Sequence, residues 1–280
     1  MKEIYKSDQG KQIIRDTLED LYQNWPYPCK RSYIESESYG KSHVLETGNT
    51  EGADLILLHG SSSNSASWLG YLEEWVDDFH IYLVDIPGQP GLSSTLRPTL
   101  ANEETLQWFE GLIDSLGLLE FSLCGMSLGS WIASEYTFSN PQRVNHLCLI
   151  TSGGFAPQRL SFMFRVLPLM LLGKAGFRRI NQIISGDVEV SEEYERFSWL
   201  VAKYMIPLTE RLPIFSDRQI MSVSSPLMFI GGSKDAILDT RGTAKRISSL
   251  LPEAKSIILQ DAPHVILDQG KRIREFFLTR

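Results

Sequence analysis

Gly125-x-Ser127-x-Gly129, which closes the apolar run beginning at Phe121, is the stretch of this sequence whose residue types and spacing point most directly at nucleophilic chemistry. A serine between two glycines at this spacing is the pattern of a strand that reverses sharply into a helix, here from about Leu128. The turn residue is held in a strained backbone conformation, and its side chain points out of the top of the sheet. Gly125 and Gly129 keep the positions two before and two after it small, as the close passage of strand and helix backbones requires. The helix N-terminus below Ser127 offers free N–H groups and positive potential, which suit an oxyanion. The chemistry indicated is acyl transfer. The five residues also occur as an ordinary polar turn, so the assignment depends on whether the chain supplies a base, an acid and oxyanion donors.

The elements that must position those groups follow from the hydrophobic pattern. Ile13 to Tyr22 repeats at helical spacing and is broken by Trp25-Pro26-Tyr27-Pro28. Arg31 to Glu37 and Ser42 to Thr47 form a hairpin about Tyr39-Gly40-Lys41. Leu55 to Leu58 is a continuous apolar run of the kind that a strand buried on both faces requires, Val144 to Ile150 reads as another buried strand, and Ile81 to Asp85, Phe121 to Cys124, Leu227 to Ile230 and Ala254 to Leu259 read as further strands. Helical patterns separate most of them: Trp68 to Trp75, Thr105 to Leu116, the segment after the serine, Thr240 to Leu250 and Val265 to Leu278. Alternation at this pace demands crossover connections, hence an α/β architecture with a mostly parallel sheet. The rhythm breaks between 155 and 223, where helical patterning is punctuated by Pro168, Pro207 and Pro213 and contains the apolar patch from Met163 to Leu172. The expected organisation is a helical leader at 1–29, a core at 30–154 and 224–280, and a helical cap at 155–223.

Ligands of an open parallel sheet collect at the carboxyl ends of the strands. The groups following those ends are His59-Gly60-Ser61, Ser127, the Gly231-Gly232-Ser233-Lys234-Asp235 loop, and Gln260-Asp261-Ala262-Pro263-His264. Ser127, Asp235 and His264 then stand in the serine, acid, histidine order of one hydrolase arrangement. Asp239 is a rival acid, and Asp261 serves the turn before Pro263. His59 reads as a loop residue, and His43, His80 and His146 as strand or loop residues without a role.

The chain resembles α/β-hydrolase-fold serine esterases with a helical cap, over residues 30 to 280, through the His59-Gly60 loop, the elbow, the Gly-Gly-x-x-Asp loop and the late histidine. Within that family it is similar to bacterial carboxylesterases of the NP type, through Trp25-Pro26, Cys29-Lys30 and Gly40-Lys41-Ser42-His43-Val44. It departs from relatives in Ser130 after Gly129, and in Pro87-Gly88-Gln89-Pro90-Gly91 where Gly-x-Gly-x-Ser is common. The residues carry definite expectations. Ser127 is the nucleophile, His264 the general base and acid, and Asp235 the group that orients the imidazole. The backbone N–H groups of Ser61 and Leu128 form the oxyanion hole. Met126, Met163, Leu167 and Met170 are pocket candidates. The substrate expected is a small-molecule ester with small to medium apolar groups. C–C bond or thioester cleavage on the same triad, or a non-catalytic binding protein of this fold, are the alternatives.

Bulk composition excludes other classes. A net charge of -7 with no basic tract disfavours nucleic-acid and anionic-membrane partners. His59-Gly60-Ser61-Ser62-Ser63 lacks the glycines and lysine of a phosphate loop. Cys29, Cys124 and Cys148 match neither a disulfide framework nor a zinc site, so neither metal nor cofactor is expected. No apolar signal core opens the sequence and no run spans a bilayer, which gives the expectation of a cytoplasmic protein, monomeric or homodimeric.

Overall fold

A computed structural model describes residues 4–188 and 190–279. Helix α1 (Asp8–Gln23), capped by Ser7, precedes the hairpin β1 (Cys29–Ser36) and β2 (Gly40–Gly48). Then follow β3 (Ala53–Leu58), a 3-10 turn (Ser65–Trp68) running into the short α2 (Leu69–Leu72), β4 (Phe79–Val84) and α3 (Glu104–Leu116). The elbow strand β5 (Phe121–Met126) leads into α4 (Leu128–Ser139), then β6 (Val144–Ile150). Residues 155–226 carry α5 (Leu160–Met170), α6 (Gly173–Ser185), α7 (Glu192–Tyr204) and α8 (Asp217–Met221). The alternation resumes with β7 (Leu227–Gly232), α9 (Thr240–Leu250), β8 (Lys255–Leu259) and α10 (Gly270–Phe277).

The strands form one eight-stranded sheet in the order β1-β2-β4-β3-β5-β6-β7-β8. The β1–β2 and β2–β4 pairs are antiparallel, and every later pair is parallel. This is the α/β-hydrolase fold read from the sequence. Alternation of side chains across each strand divides the core in two. Ile56, Leu58, Leu123, Leu149 and Phe229 meet α3, α4 and α9 through Trp108, Phe109, Tyr136 and Ile247. Leu55, Leu57, Cys124, Ile150 and Met228 meet α1, α2 and α10 through Ile14, Leu18, Leu72 and Phe276. Covering both faces is what required the uninterrupted apolar runs.

Two expected elements are shorter than their patterns. The apolar stretch Trp68 to Trp75 contains only one turn of α-helix, because Trp68, Tyr71 and Trp75 pack as an aromatic cluster and leave the chain in successive turns. The final helix begins at Gly270 rather than Val265, since the Val265 N–H is engaged by Ile184 C=O and Asp268 takes a left-handed φ of 59°.

A buried carboxylate ties the front half of the chain together. Asp85, at the end of β4, accepts from Ser65 N–H and Oγ, Leu92 N–H and Tyr22 Oη, and pairs with His43 Nδ1 at 2.8 Å. Both side chains of the pair are fully buried. His43 therefore has a structural part that its position in the sequence did not reveal. Its Nε2 accepts from Arg31 Nε at 3.3 Å, so Nδ1 carries the proton given to Asp85. Burial alone would raise the Asp85 pKa, but the hydrogen bond from His43 and the backbone donors hold it well below the carboxylate range.

Two outcomes follow from this packing. A Cβ on Gly129 would lie 2.1 Å from the Leu58 carbonyl oxygen, a backbone atom with no room to retreat. Gly129→Ala is expected to destabilise the protein by about 3 kcal/mol, read from urea unfolding. For Asp85, a folded pKa below the unfolded value means that its stabilisation is complete above about pH 4 and is lost as pH falls further. Asp85→Asn should cost about 3 kcal/mol or more at neutral pH. The gap from wild type should narrow as urea unfolding is repeated at acid pH; a gap independent of pH would contradict an ionised Asp85.

Candidate active site

Strand register sets the level at which the candidate groups emerge. Leu58 pairs with both Val84 and Gly125, Met126 with Ile150, and Ile150 with Ile230. The loops after β3, β4, β5, β6, β7 and β8 therefore open on one edge of the sheet. Positive φ angles gather there: Ser62 at 57°, Ser127 at 50°, Thr151 at 46° and Asp261 at 60°. Non-glycine residues enter this region only where surrounding packing holds them.

Ser127 sits between β5 and α4 at φ 50°, ψ -106°. Its N–H bonds to Ile150 C=O and its own C=O accepts from Trp131 N–H, so both sides of the strained peptide are held. Gly125 and Gly129 are pressed together; a Cβ on Gly125 would lie 2.4 Å from Gly129 oxygen. The neighbouring Ser130 is buried, with its hydroxyl on Gly125 and Ile150 carbonyls, so this departure from the relatives' pattern fastens the elbow from within.

His264 and Asp235 meet although 29 residues separate them: Nδ1 lies 2.8 Å from Asp235 Oδ2. The Asp235 side chain is fully buried, and that of His264 is 11% exposed. The other carboxylate oxygen of Asp235 accepts from Ile237 and Leu238 N–H groups at 2.8 and 2.9 Å. Burial acts to raise the Asp235 pKa, but His264 and these backbone donors outweigh it and lower it. The two loops are laced by Ser233 N–H to Leu259 C=O and Lys234 N–H to Ala262 C=O. The rival acids are occupied elsewhere. Asp239 caps α9 through Gly242 N–H, and Asp261 pairs with Lys234 at 2.9 Å. Among the described residues, Ser127 Oγ and His264 Nε2 have no hydrogen-bond partner in this conformation, as is common before substrate binds.

The loop after β3 lies beside the serine: a Cβ on Gly60 would be 3.6 Å from Ser127 Cβ. His59 is a structural residue, as expected. Its Nε2 accepts from Ile86 N–H, and its Nδ1 contacts Gly60 C=O. Burial lowers its pKa, consistent with a neutral ring in that role. Ser62 N–H donates to Gln89 Oε1 at 2.8 Å. Gln89 was missed as a positioning group, because only the fold brings its loop over residues 61–63. Leu128 opens α4, where an N–H has no partner within the helix.

The pocket candidates separate. Met126 is half-buried at the end of β5, next to Ser127. Met163, Leu167 and Met170 stand on the outward stripe of α5, each at least half exposed. The half-buried stripe is instead Phe162, Val166 and Leu169. The helix is apolar all round, so periodicity could not tell which stripe faces inward. A small cleft beside Leu128 is lined by Ile86, Gln89, Leu100, Trp108, Ile132 and Leu208, none of them among the candidates.

Carboxylesterase YbfK of Bacillus subtilis is 26% identical over 91% of this chain and 88% of its own. A second protein of that organism, described as the uncharacterized carboxylesterase nap, is 24% identical over 97% of this chain and 94% of its own. The crystal structure of naproxen esterase (carboxylesterase NP) from Bacillus subtilis superposes with a TM-score of 0.84 at 22% identity, covering 97% of this chain and 98% of that one. The resemblance to bacterial carboxylesterases of the NP type thus extends over nearly the whole chain. The model of the Alpha/beta hydrolase family matches residues 55–276, and the chain belongs to that family.

Proposed function

We propose that this protein is a serine hydrolase that cleaves carboxylic esters bearing small to medium apolar groups. The observation that carries the reading is the 2.8 Å contact between His264 Nδ1 and the buried Asp235, on the sheet edge where the strained Ser127 also emerges. The full-length likeness to carboxylesterases supports a carboxylesterase-type hydrolase.

In this mechanism Ser127 Oγ attacks the ester carbonyl carbon as His264 Nε2 takes its proton. Asp235 fixes the tautomer that leaves Nε2 as the acceptor, and stabilises the imidazolium. The carbonyl oxygen gathers negative charge against the N–H groups of Leu128 and Ser61, at the positive end of α4. Collapse of the tetrahedral species breaks the bond to the alcohol, which leaves with the proton from His264. Water then attacks the acyl-serine ester with its proton passing to His264, and a second collapse frees the acid and restores Ser127.

Residues 155–223 serve as the cap in this reading. Its two ends are built into the core: Phe155, Phe215 and Ile220 pack against the sheet, and Phe215 stacks on Trp131. The region also touches the base directly, since Ile184 C=O accepts from the N–H groups of both His264 and Val265. Met126, next to Ser127, and the cleft lined in part by Leu128 offer apolar surface to the substrate.

Hydrolysis of p-nitrophenyl acetate, butyrate, octanoate and palmitate tests the assignment. Saturable turnover is expected, with a short or medium chain optimum. Ser127→Ala should lower kcat by about 10⁴-fold or more. Unchanged turnover in that variant excludes the mechanism. Asp235→Asn should preserve folding while lowering kcat about 10⁴-fold, because the amide stabilises the wrong imidazole tautomer. A loss below tenfold would assign the orienting role elsewhere.

A further inference from the structure

Large apolar side chains stand in water along one edge of the molecule. Leu160, Met163, Phe164 and Leu167 on α5 and Leu171 just after it recur at i, i+3, i+4, i+7 and i+11, one stripe of a helix. That stripe points outward: Phe164 is 75% exposed, and Leu171 and Leu172, at the turn into α6, are 87% and 62% exposed. Single exposed hydrophobic residues need no explanation, but a contiguous row of them marks an interaction surface.

Charge tells what kind of surface it meets. The chain as a whole carries -7, yet between Gln158 and Gly186 there is no Asp or Glu. The same stretch holds Arg159, Arg165, Lys174, Arg178 and Arg179. The last four are exposed and have no ion-pair partner among the described residues. An outward apolar helix flanked by unpaired cations is complementary to an anionic lipid surface, into which the apolar stripe would sink to the level of the headgroups. A second copy of the chain fits less well. Two-fold pairing through this hairpin would set its cations against the same cations of the partner. The net negative charge elsewhere matters little, because fields fade over about 8 Å at physiological salt.

We propose that the α5–α6 hairpin is a docking surface for anionic lipid bilayers. The hairpin is joined to the candidate site, because Ile184, in the last turn of α6, holds the His264 N–H through its carbonyl, and Gly186 packs on Pro263. Docking would therefore present the site to apolar esters dissolved in the lipid, a substrate link that rests on the esterase reading above. It also revises the expectation, drawn from overall charge, that a membrane is not a partner. Among the described residues no helix is long and apolar enough to cross a membrane, and the contact proposed is with the surface.

Co-sedimentation with vesicles tests it, using phosphatidylcholine alone and phosphatidylcholine mixed equally with phosphatidylglycerol. Wild type should bind the anionic vesicles at least about tenfold more tightly than the neutral ones. The combined Lys174→Gln, Arg178→Gln, Arg179→Gln protein should lose about a hundredfold, at roughly fivefold per cation. Phe164→Gln with Leu171→Gln should also lose about a hundredfold, and since both side chains are already exposed the fold is spared. The proposal is overturned by absence of wild-type binding to anionic vesicles, or by binding that neither variant weakens. It is equally overturned if the protein dimerises in solution and the Phe164→Gln, Leu171→Gln protein does not, for then the face is an interface between copies. Ser127→Ala separates the two readings. Intact vesicle binding with lost ester hydrolysis supports both, whereas vesicle binding by a wild type inactive on every ester rejects the esterase and leaves the docking surface standing.

Discussion

The reversal of the chain at Ser127 is the constraint on which the site depends. A strand can turn into a helix this abruptly only if the turn residue accepts a left-handed φ and the two backbones pass within contact distance. Gly129 meets the second demand by resting its Cα against the end of β3, where a Cβ would strike Leu58 oxygen at 2.1 Å. That contact fixes where β3 ends relative to β5, and so where His59 and Gly60 begin. The elbow therefore does more than expose a hydroxyl. It brings the loop that follows β3 against the serine.

Among the described residues, two His–Asp pairs have the same length, and their surroundings separate structure from chemistry. His43–Asp85 and His264–Asp235 are both joined at 2.8 Å through Nδ1. In the first pair every valence is spoken for: Arg31 donates to His43 Nε2, and Ser65, Leu92 and Tyr22 surround the carboxylate. Such a closed network holds α1, β2, β4 and the loop before α2 in place. In the second pair Asp235 is similarly saturated by backbone donors, but His264 keeps some exposure and an uncommitted Nε2. A proton carrier needs one open valence, and only the second pair has it.

The segment between β6 and β7 shows how the same apolar composition can do different work. Phe155, Leu212, Phe215 and Ile220 are buried and extend the core beneath α4 and α9. The residues of α5 are as apolar, yet none is buried. The difference lies in connectivity: the ends of the segment are bound to the sheet, while α5 and α6 form a hairpin at its far side. Ile184 and Gly186, where that hairpin returns to the loop of His264, couple the exposed part to the candidate site.

Much of the fold was legible in the sequence because doubly covered strands demand unbroken apolar runs, and each of these runs became a strand of the sheet. Gly125, Ser127 and Gly129 were legible for a local reason, since a sharp strand-to-helix turn tolerates few residue types. Asp235 and His264 could be placed at strand ends, because parallel topology sends all those ends to one edge. What was not legible is what depends on contacts between distant segments. Asp85 and His43 looked like ordinary strand residues, and Gln89 like part of a turn. Asp85 meets His43 from 42 positions away and Gln89 meets Ser62 from 27, at distances set by the folded sheet. The outward face of α5 was hidden for the complementary reason: a helix apolar on every side has no direction until packing chooses one. Residue type and periodicity thus determined the strands, the elbow and the order of the chemical groups. Tertiary structure alone decided which histidine is sealed, which keeps a free nitrogen, and which apolar stripe is left in water, because burial and partner geometry are properties of the assembled chain.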